Sequence, residues 1–338
     1  MITSEDTAGN PLLRCTVCER TYTIADGYVD LMPASQTEGD AHTSLYVEQE
    51  EEFAITLDYR SISAPLLGAG VRQRAIRRLL KPIGSDRLIE LGCGNGKFLF
   101  WNRKQAGWVV GIDPAPLFAV EALKQIDLCR ADARSLPFPD GTFTAAMSID
   151  VLEHLTLEGV KAYLGEARRV LKPDGRLFLF SNTREGSRLD FIVRGARILS
   201  RKLGEMGVID NSRDNLRKSD HVKAIATYEE LETVLKGGGF KVERVIFWNG
   251  LFQSLIENLV VKLGEAALRR RGRAEGLVEA TIAGTDTVRS SVRSVLARRG
   301  LEYRLLKFLT ELMWLDLVLF GSWRAGPYFL LARREEMP

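Results

Sequence analysis

Three glycines fall within five positions in Glu90-Leu91-Gly92-Cys93-Gly94-Asn95-Gly96, directly behind an apolar run. Such a turn between a strand and a helix lets the backbone approach a ligand closely, and the helix N-terminus offers free N–H groups. The third glycine follows the second by two positions rather than three, so the spacing departs from the dinucleotide-binding fingerprint and points to a different ligand. Two acids end the next apolar runs. Asp113, 21 positions after Gly92, is placed to accept both hydroxyls of a ribose, and Asp132 to accept from an exocyclic adenine amine. Further on, Asp150-Val151-Leu152-Glu153-His154 gathers two carboxylates and one of only three histidines, the others being His42 and His221.

These residues need a scaffold, and the pattern around them supplies one. Short apolar runs alternate with helical patterns from Arg87 onward, as in a parallel α/β sheet. Strands are expected at Arg87–Leu91, Trp108–Ile112, Asp127–Ala131, Phe143–Ile149, Arg176–Ser181, Phe240–Trp248 and Tyr328–Ala332. Helices are expected from about Lys97 to Gln105, over Leu117–Gln125, over Leu157–Leu171 and over Tyr228–Lys236, with Lys172-Pro173-Asp174-Gly175 as a turn. The fold class is therefore α/β: a Rossmann-like, doubly wound, mostly parallel sheet with a helical insertion before its last strand. Its expected divisions are an N-terminal arm (1–60), a core (61–248), the insertion (249–327) and the last core strand with the C-terminus (328–338). The insertion repeats leucine every four residues at Leu251, Leu255, Leu259 and Leu263, and has a broad stripe from Leu305 to Leu319.

The chain has 338 residues, 45% apolar and 27% charged, with a mean hydropathy of -0.07, which is the composition of a globular protein. The net charge of +3 excludes a chain-wide basic footprint for nucleic acid. That average is polarised, since residues 1–60 carry three arginines against twelve acids. The segment Arg184–Lys223 and the insertion each carry +4. Four cysteines, at 15, 18, 93 and 129, are too few and scattered for a disulfide scaffold, so a reducing, cytoplasmic location is expected. The greasiest stretch, Leu305–Leu331, is interrupted by Lys307, Glu311, Asp316 and Arg324, which argues against a membrane span.

Taken in order, the motifs resemble those of class I S-adenosylmethionine (SAM)-dependent methyltransferases, of the ubiquinone and menaquinone type. The resemblance rests on Leu88–Leu99 around the glycine turn, Ala131-Asp132-Ala133, Leu136-Pro137-Phe138-Pro139-Asp140-Gly141-Thr142-Phe143 and Val170–Gly175. It covers roughly residues 70–248 and the last strand. It implies SAM as cofactor, with Glu90 orienting the methionine ammonium and Gly92, Gly94 and Gly96 letting backbone pack against the cofactor. It also implies Asp113 on the ribose, Asp132 on the adenine amine, the Ala133 backbone on the adenine ring, and Ser148 or Ile149 at the methionine end. Thr144 stands where the family usually has Asp, a departure expected to affect the strand's entry more than the cofactor.

Methyl transfer is an in-line displacement, so an enzyme mainly holds nucleophile and methyl in line, with a base only where the acceptor must lose a proton. His154, just past the fourth strand, and His221, where histidine recurs in the family near the acceptor pocket, are the candidate bases. Two alternatives stay open: Glu153 and His154 cap the following helix and line the pocket, and His221 is an ordinary loop residue. Asp150, Glu153 and His154 also resemble a metal-holding run in some relatives, although Asp150 replaces the usual Glu, and no metal is expected there. Cys15 and Cys18 resemble half of a zinc ribbon. With one knuckle only, a hairpin remnant without zinc is expected.

The expectation is thus a SAM-dependent methyltransferase acting on oxygen or carbon of a small-molecule or lipid- or polyprenyl-linked acceptor. The alternatives are an RNA or protein methyltransferase and a non-catalytic scaffold of the same fold. Nucleic acid is not the expected partner, for no aromatic-interleaved basic run accompanies the charge. The basic and helical segments leave three readings: a lid over the acceptor, a homodimer surface, or peripheral contact with an anionic membrane.

Overall fold

The computed structural model describes residues 2–5, 11–15, 19–32, 62–211, 222–274 and 300–336. After four short N-terminal strands, β1 (Ile2–Glu5), β2 (Pro11–Arg14), β3 (Thr21–Ala25) and β4 (Tyr28–Asp30), comes helix α1 (Leu67–Leu79). The alternating unit follows as β5 (Arg87–Leu91), α2 (Lys97–Asn102), β6 (Trp108–Asp113), α3 (Val120–Leu123), β7 (Asp127–Arg130), β8 (Phe143–Ile149), α4 (Leu157–Val170) and β9 (Leu171–Asn182). Then come α5 (Asp190–Glu205), α6 (Tyr228–Gly237) and β10 (Phe240–Phe247). The insertion contributes α7 (Leu251–Leu255), a π-helical turn (Ile256–Val261), α8 (Lys262–Ala274) and α9 (Leu301–Phe320) before β11 (Pro327–Arg334).

The strands join in the order β1-β2-β3-β4-β7-β6-β5-β8-β9-β11-β10. Neighbours from β4 to β9 pair in parallel, with β11 inserted antiparallel between β9 and β10. The chain runs from β5 outward through β6 to β7 and then returns to place β8 on the other side of β5. That reversal opens a crevice at the carboxyl ends of β5 and β8, where ligands of such sheets bind. Alternation along the strands feeds two cores: Ile89, Leu91, Ala146 and Leu177 face α4 and α6, while Leu88, Ala145, Met147 and Phe178 face α1, α2 and α9.

The predicted strands and the α4 and α6 helices appear with small changes of bounds, and three expectations are corrected. The helix expected over Leu117–Gln125 shrinks to α3, because Pro116 and an extended link, with Ala119 N–H donating to the Asn95 carbonyl, occupy its first turn. The Lys172–Gly175 turn lies inside β9: Leu171 pairs with Phe143, Asp174 takes φ +58, and pairing resumes at Ala145 with Arg176. Helix α4 is capped by Thr156, whose hydroxyl accepts from Gly159 N–H at 3.1 Å, and not by Glu153 or His154.

The N-terminal strands do more than pack as a hairpin. β4 extends the main sheet by pairing Val29 and Asp30 with Cys129 and Arg130, with a 3.0 Å ion pair between Asp30 and Arg130 beside the ladder. At the other end, Asp316 on α9 is fully buried and accepts from the N–H groups of Phe252 and Gln253, which open α7, and from Trp248 Nε1. This carboxylate fixes the insertion to the sheet, and Asn249 assists by donating to the carbonyls of Phe320 and Trp323. No described helix is long and apolar enough to cross a membrane.

Candidate functional site

The glycine turn is shaped by its protein neighbours. Gly92 takes φ +78, and a Cβ there would lie 2.3 Å from Val151 Cγ2, so the β5 and β8 loops touch through the missing side chain. Gly96, at φ +79, would place a Cβ 3.2 Å from Ala122, which sets how closely α2 approaches α3. Gly94 N–H donates to Asp113 Oδ2 at 2.7 Å, and Ala115 N–H to Oδ1 at 2.9 Å. The turn and the end of β6 are thereby one unit. Burial pushes the Asp113 carboxyl up to about 6 against the pull of these two N–H donors.

Beneath the turn, Glu90 is 1% exposed and its Oε2 has no hydrogen-bond partner. Burial drives its carboxyl well above the ordinary range, with Lys97 pulling the other way. Ser148, at the end of β8, is equally buried. Ile149 is buried beside it. Asp132, past β7, is held by its near neighbour Arg134, accepting from its backbone N–H at 2.8 Å and from Nε and Nη2 along one guanidinium edge at 2.7–3.1 Å. Ala133 is buried between them.

A second group lies across the crevice. Asp150 has φ +57 and pairs with Arg72 of α1 at 3.3 Å. The Arg72 guanidinium stacks 4.4 Å above Phe180 and 5.6 Å from Trp248, while its Nε lacks a partner. Gly68 leaves room for this arrangement, since a Cβ there would come within 2.9 Å of Glu257 Oε1 and 3.1 Å of Arg72 Nη1. Glu153 is 2% exposed and accepts from the Ser181 hydroxyl, and burial with the neighbouring Asp150 charge pushes it up to about 7. His154 ends the short turn Leu152–His154 beside it. Thr144 sits at the opposite end of β8, donating to Asp86, so the departure at that position touches the strand's entry.

Sequence reasoning missed Arg72, Phe180, Ser181, Trp248 and Glu257, which lie outside any motif and meet only through α1, β9 and the insertion. His221 and Cys18 lie outside the described residues, and Cys15 sits after β2, far in sequence from the crevice. Among the described residues no three His, Cys, Asp or Glu side chains are grouped to hold a metal ion. Asp150 pairs with Arg72, and Glu153 accepts from Ser181.

Fold and crevice define a nucleotide-type α/β domain with an unsatisfied carboxylate under its glycine turn. Residues 89–179 match the family described as Methyltransferase domain. Over 96 residues the chain is 38% identical to a tRNA (carboxymethyluridine(34)-5-O)-methyltransferase of Arabidopsis thaliana, which covers 28% of this chain and 23% of that protein. It is 26% identical over 183 residues to a Ubiquinone biosynthesis O-methyltransferase of Xanthomonas axonopodis pv. citri, covering 52% of this chain and 70% of that one. The solved Phosphoethanolamine N-methyltransferase 2 of Haemonchus contortus, in complex with S-adenosyl-L-methionine, superimposes with a TM-score of 0.51 at 15% identity, over 87% of this chain and 59% of that one. That last likeness is one of fold. This chain thus spans under a quarter of the Arabidopsis protein's length, and the comparisons agree on the domain: the chain carries a class I SAM-dependent methyltransferase domain.

Proposed function

We propose that the protein transfers a methyl group from SAM to oxygen or carbon of a small-molecule or lipid-linked acceptor. The observation that carries the cofactor half is Glu90: a carboxylate oxygen buried without a partner fits a ligand that brings its own cation. Glu90 would hold the methionine ammonium, Asp113 the ribose hydroxyls, Asp132 and the Ala133 backbone the adenine, and Ser148 or Ile149 the methionine end. SAM supplies a methyl group already activated by its sulfonium. The chain's own work is then to hold the acceptor in line and exclude water.

Arg72, Phe180, Trp248, Gln253 and Glu257 support the acceptor half of this reading. An arginine stacked on two aromatic rings under an insertion is suited to a compact acceptor with a flat apolar body and a polar group. Where that group is a hydroxyl, Glu153 and His154 stand at the carboxyl edge of β8 to take its proton, and Glu153, pushed up to about 7, changes protonation near neutrality.

Incubation with methyl-labelled SAM and fractionated cell extract tests both halves. Label in the small-molecule or organic-soluble fraction, lost in Gly94→Asp, is the expected result. Label confined to RNA or protein would overturn the acceptor class and keep the methyltransferase. Absence of SAM binding by calorimetry would leave the non-catalytic scaffold as the reading.

A further inference from the structure

Among the described residues, every exposed large hydrophobic side chain except Ile83 and Val120 lies between residues 191 and 323, on elements that the bare sheet does not need. Helix α5 shows the pattern most sharply. At 100° per residue, Val193, Ala196 and Ser200 turn into the protein, where all three are buried. One outer flank then carries Phe191, Ile198 and Leu199, with Met206 just past the helix end and the exposed Lys202 among them; Phe191 is 70% and Met206 74% exposed. The other outer flank carries Arg194, Arg197 and Arg201, all exposed. Among the described residues none of these three arginines has an ion-pair partner.

We propose that this outer face of α5 docks the protein on an anionic lipid bilayer. The apolar flank gains by leaving water, and the three arginines gain by meeting anionic headgroups, an arrangement that holds a helix in the plane of the interface. RNA offers the arginines their charge partner but gives Phe191, Ile198, Leu199 and Met206 nothing to bury against. A face that buries α5 against a neutral protein leaves the arginines desolvated and unpaired. Of these three surfaces, the lipid one satisfies both flanks. Continuous with this, α7 and the π-helical turn pack on α5 and carry Gln253 and Glu257 toward Arg72, so docking would bring the acceptor side of the crevice to the membrane. This deepens the lipid-linked reading of the acceptor while resting on binding rather than turnover, so either can fail without the other.

The test is cosedimentation of the full-length protein with phosphatidylcholine vesicles, with and without about a third phosphatidylglycerol. Wild type is expected to sediment with the anionic vesicles and to release at high salt. Phe191→Ser/Ile198→Ser and, separately, Arg194→Glu/Arg197→Glu should each weaken partitioning about tenfold or more, with unchanged unfolding transitions. Three results would overturn the proposal: no sedimentation of wild type with anionic vesicles; equal partition into neutral ones; or partition unaffected by a variant that still folds. Tight tRNA binding lost in the arginine variant but kept in the serine variant would reassign the face to nucleic acid.

Discussion

At the β5 turn, the Glu90 carboxylate is buried with one oxygen unsatisfied, while on α5 and α9 apolar side chains stand in water. Glu90 and Asp113 are both driven upward by burial, an arrangement that costs stability until a ligand with a cation and hydroxyls arrives. On the helical cap, Leu301, Leu305, Phe308, Leu315 and Leu319 form an exposed stripe on α9, and Phe191, Ile198, Leu199 and Met206 another on α5. The two regions teach that unsatisfied chemistry marks a site in either form. A buried polar atom asks for a small polar ligand, and an exposed apolar stripe asks for a surface.

The largest expected effect breaks the first region. Gly92→Val should destabilise the protein by about 3 kcal/mol or more, since it adds left-handed strain of roughly 1–2 kcal/mol to a clash with Val151. Equilibrium unfolding of Gly92→Val in a Val151→Ala background separates the two terms. The clash should be relieved and the strain should remain; complete rescue would mean that φ at this turn matters less than the contact. Next in size, Asp316→Ala leaves the Phe252, Gln253 and Trp248 donors unsatisfied and should cost about 2 kcal/mol. SAM affinity, measured by calorimetry, should hardly change. A large loss of affinity would show that cap and cofactor edge are coupled rather than separable.

A smaller effect comes from pH. Asp113 has its folded value at about 6, above that of the unfolded chain, so protonation stabilises the ligand-free protein at low pH and this contribution is lost as pH rises through 6. A ligand that needs the ionised carboxylate is affected in the opposite sense. SAM affinity should therefore fall as pH drops below 6, by up to about tenfold per unit, and level off above it. Asp113→Asn should flatten the profile and lower affinity throughout. A profile unchanged in that variant would remove Asp113 from the ribose role.

The legible parts of the molecule are those that a local pattern marks. Glycine spacing, Asp113 at its distance from Gly92, and alternating apolar runs mark the central strands and the turn between β5 and α2, because each is a pattern within a short stretch of chain. Arg72 was illegible because it precedes the motif by twenty residues and matters only once α1 folds across β9. Gly92 is read from sequence as letting the backbone pack against the cofactor; in the fold its missing side chain also clears Val151, which no local pattern reveals. The Lys172–Gly175 turn was legible as a turn, but nothing local says that the strand ladder begins before it. The union of β4 with β7 is a long-range edge pairing, which patterning along one strand does not reveal.

That union also yields the smallest prediction. Asp30 and Arg130 are each about a third exposed, so their 3.0 Å ion pair is worth little, and Asp30→Ala should cost less than about 1 kcal/mol. Yet Arg130 also donates to the Pro114 carbonyl and pairs in register with Asp113, one residue before Ala131-Asp132. The N-terminal strands therefore end within two residues of the positions assigned to adenine. If they are only an edge cover, Asp30→Ala leaves SAM affinity intact while slightly lowering the unfolding midpoint. If calorimetry instead shows weaker SAM binding with an unchanged midpoint, the arm steadies the adenine end of the cofactor edge, and the boundary between arm and core has to move to include β4.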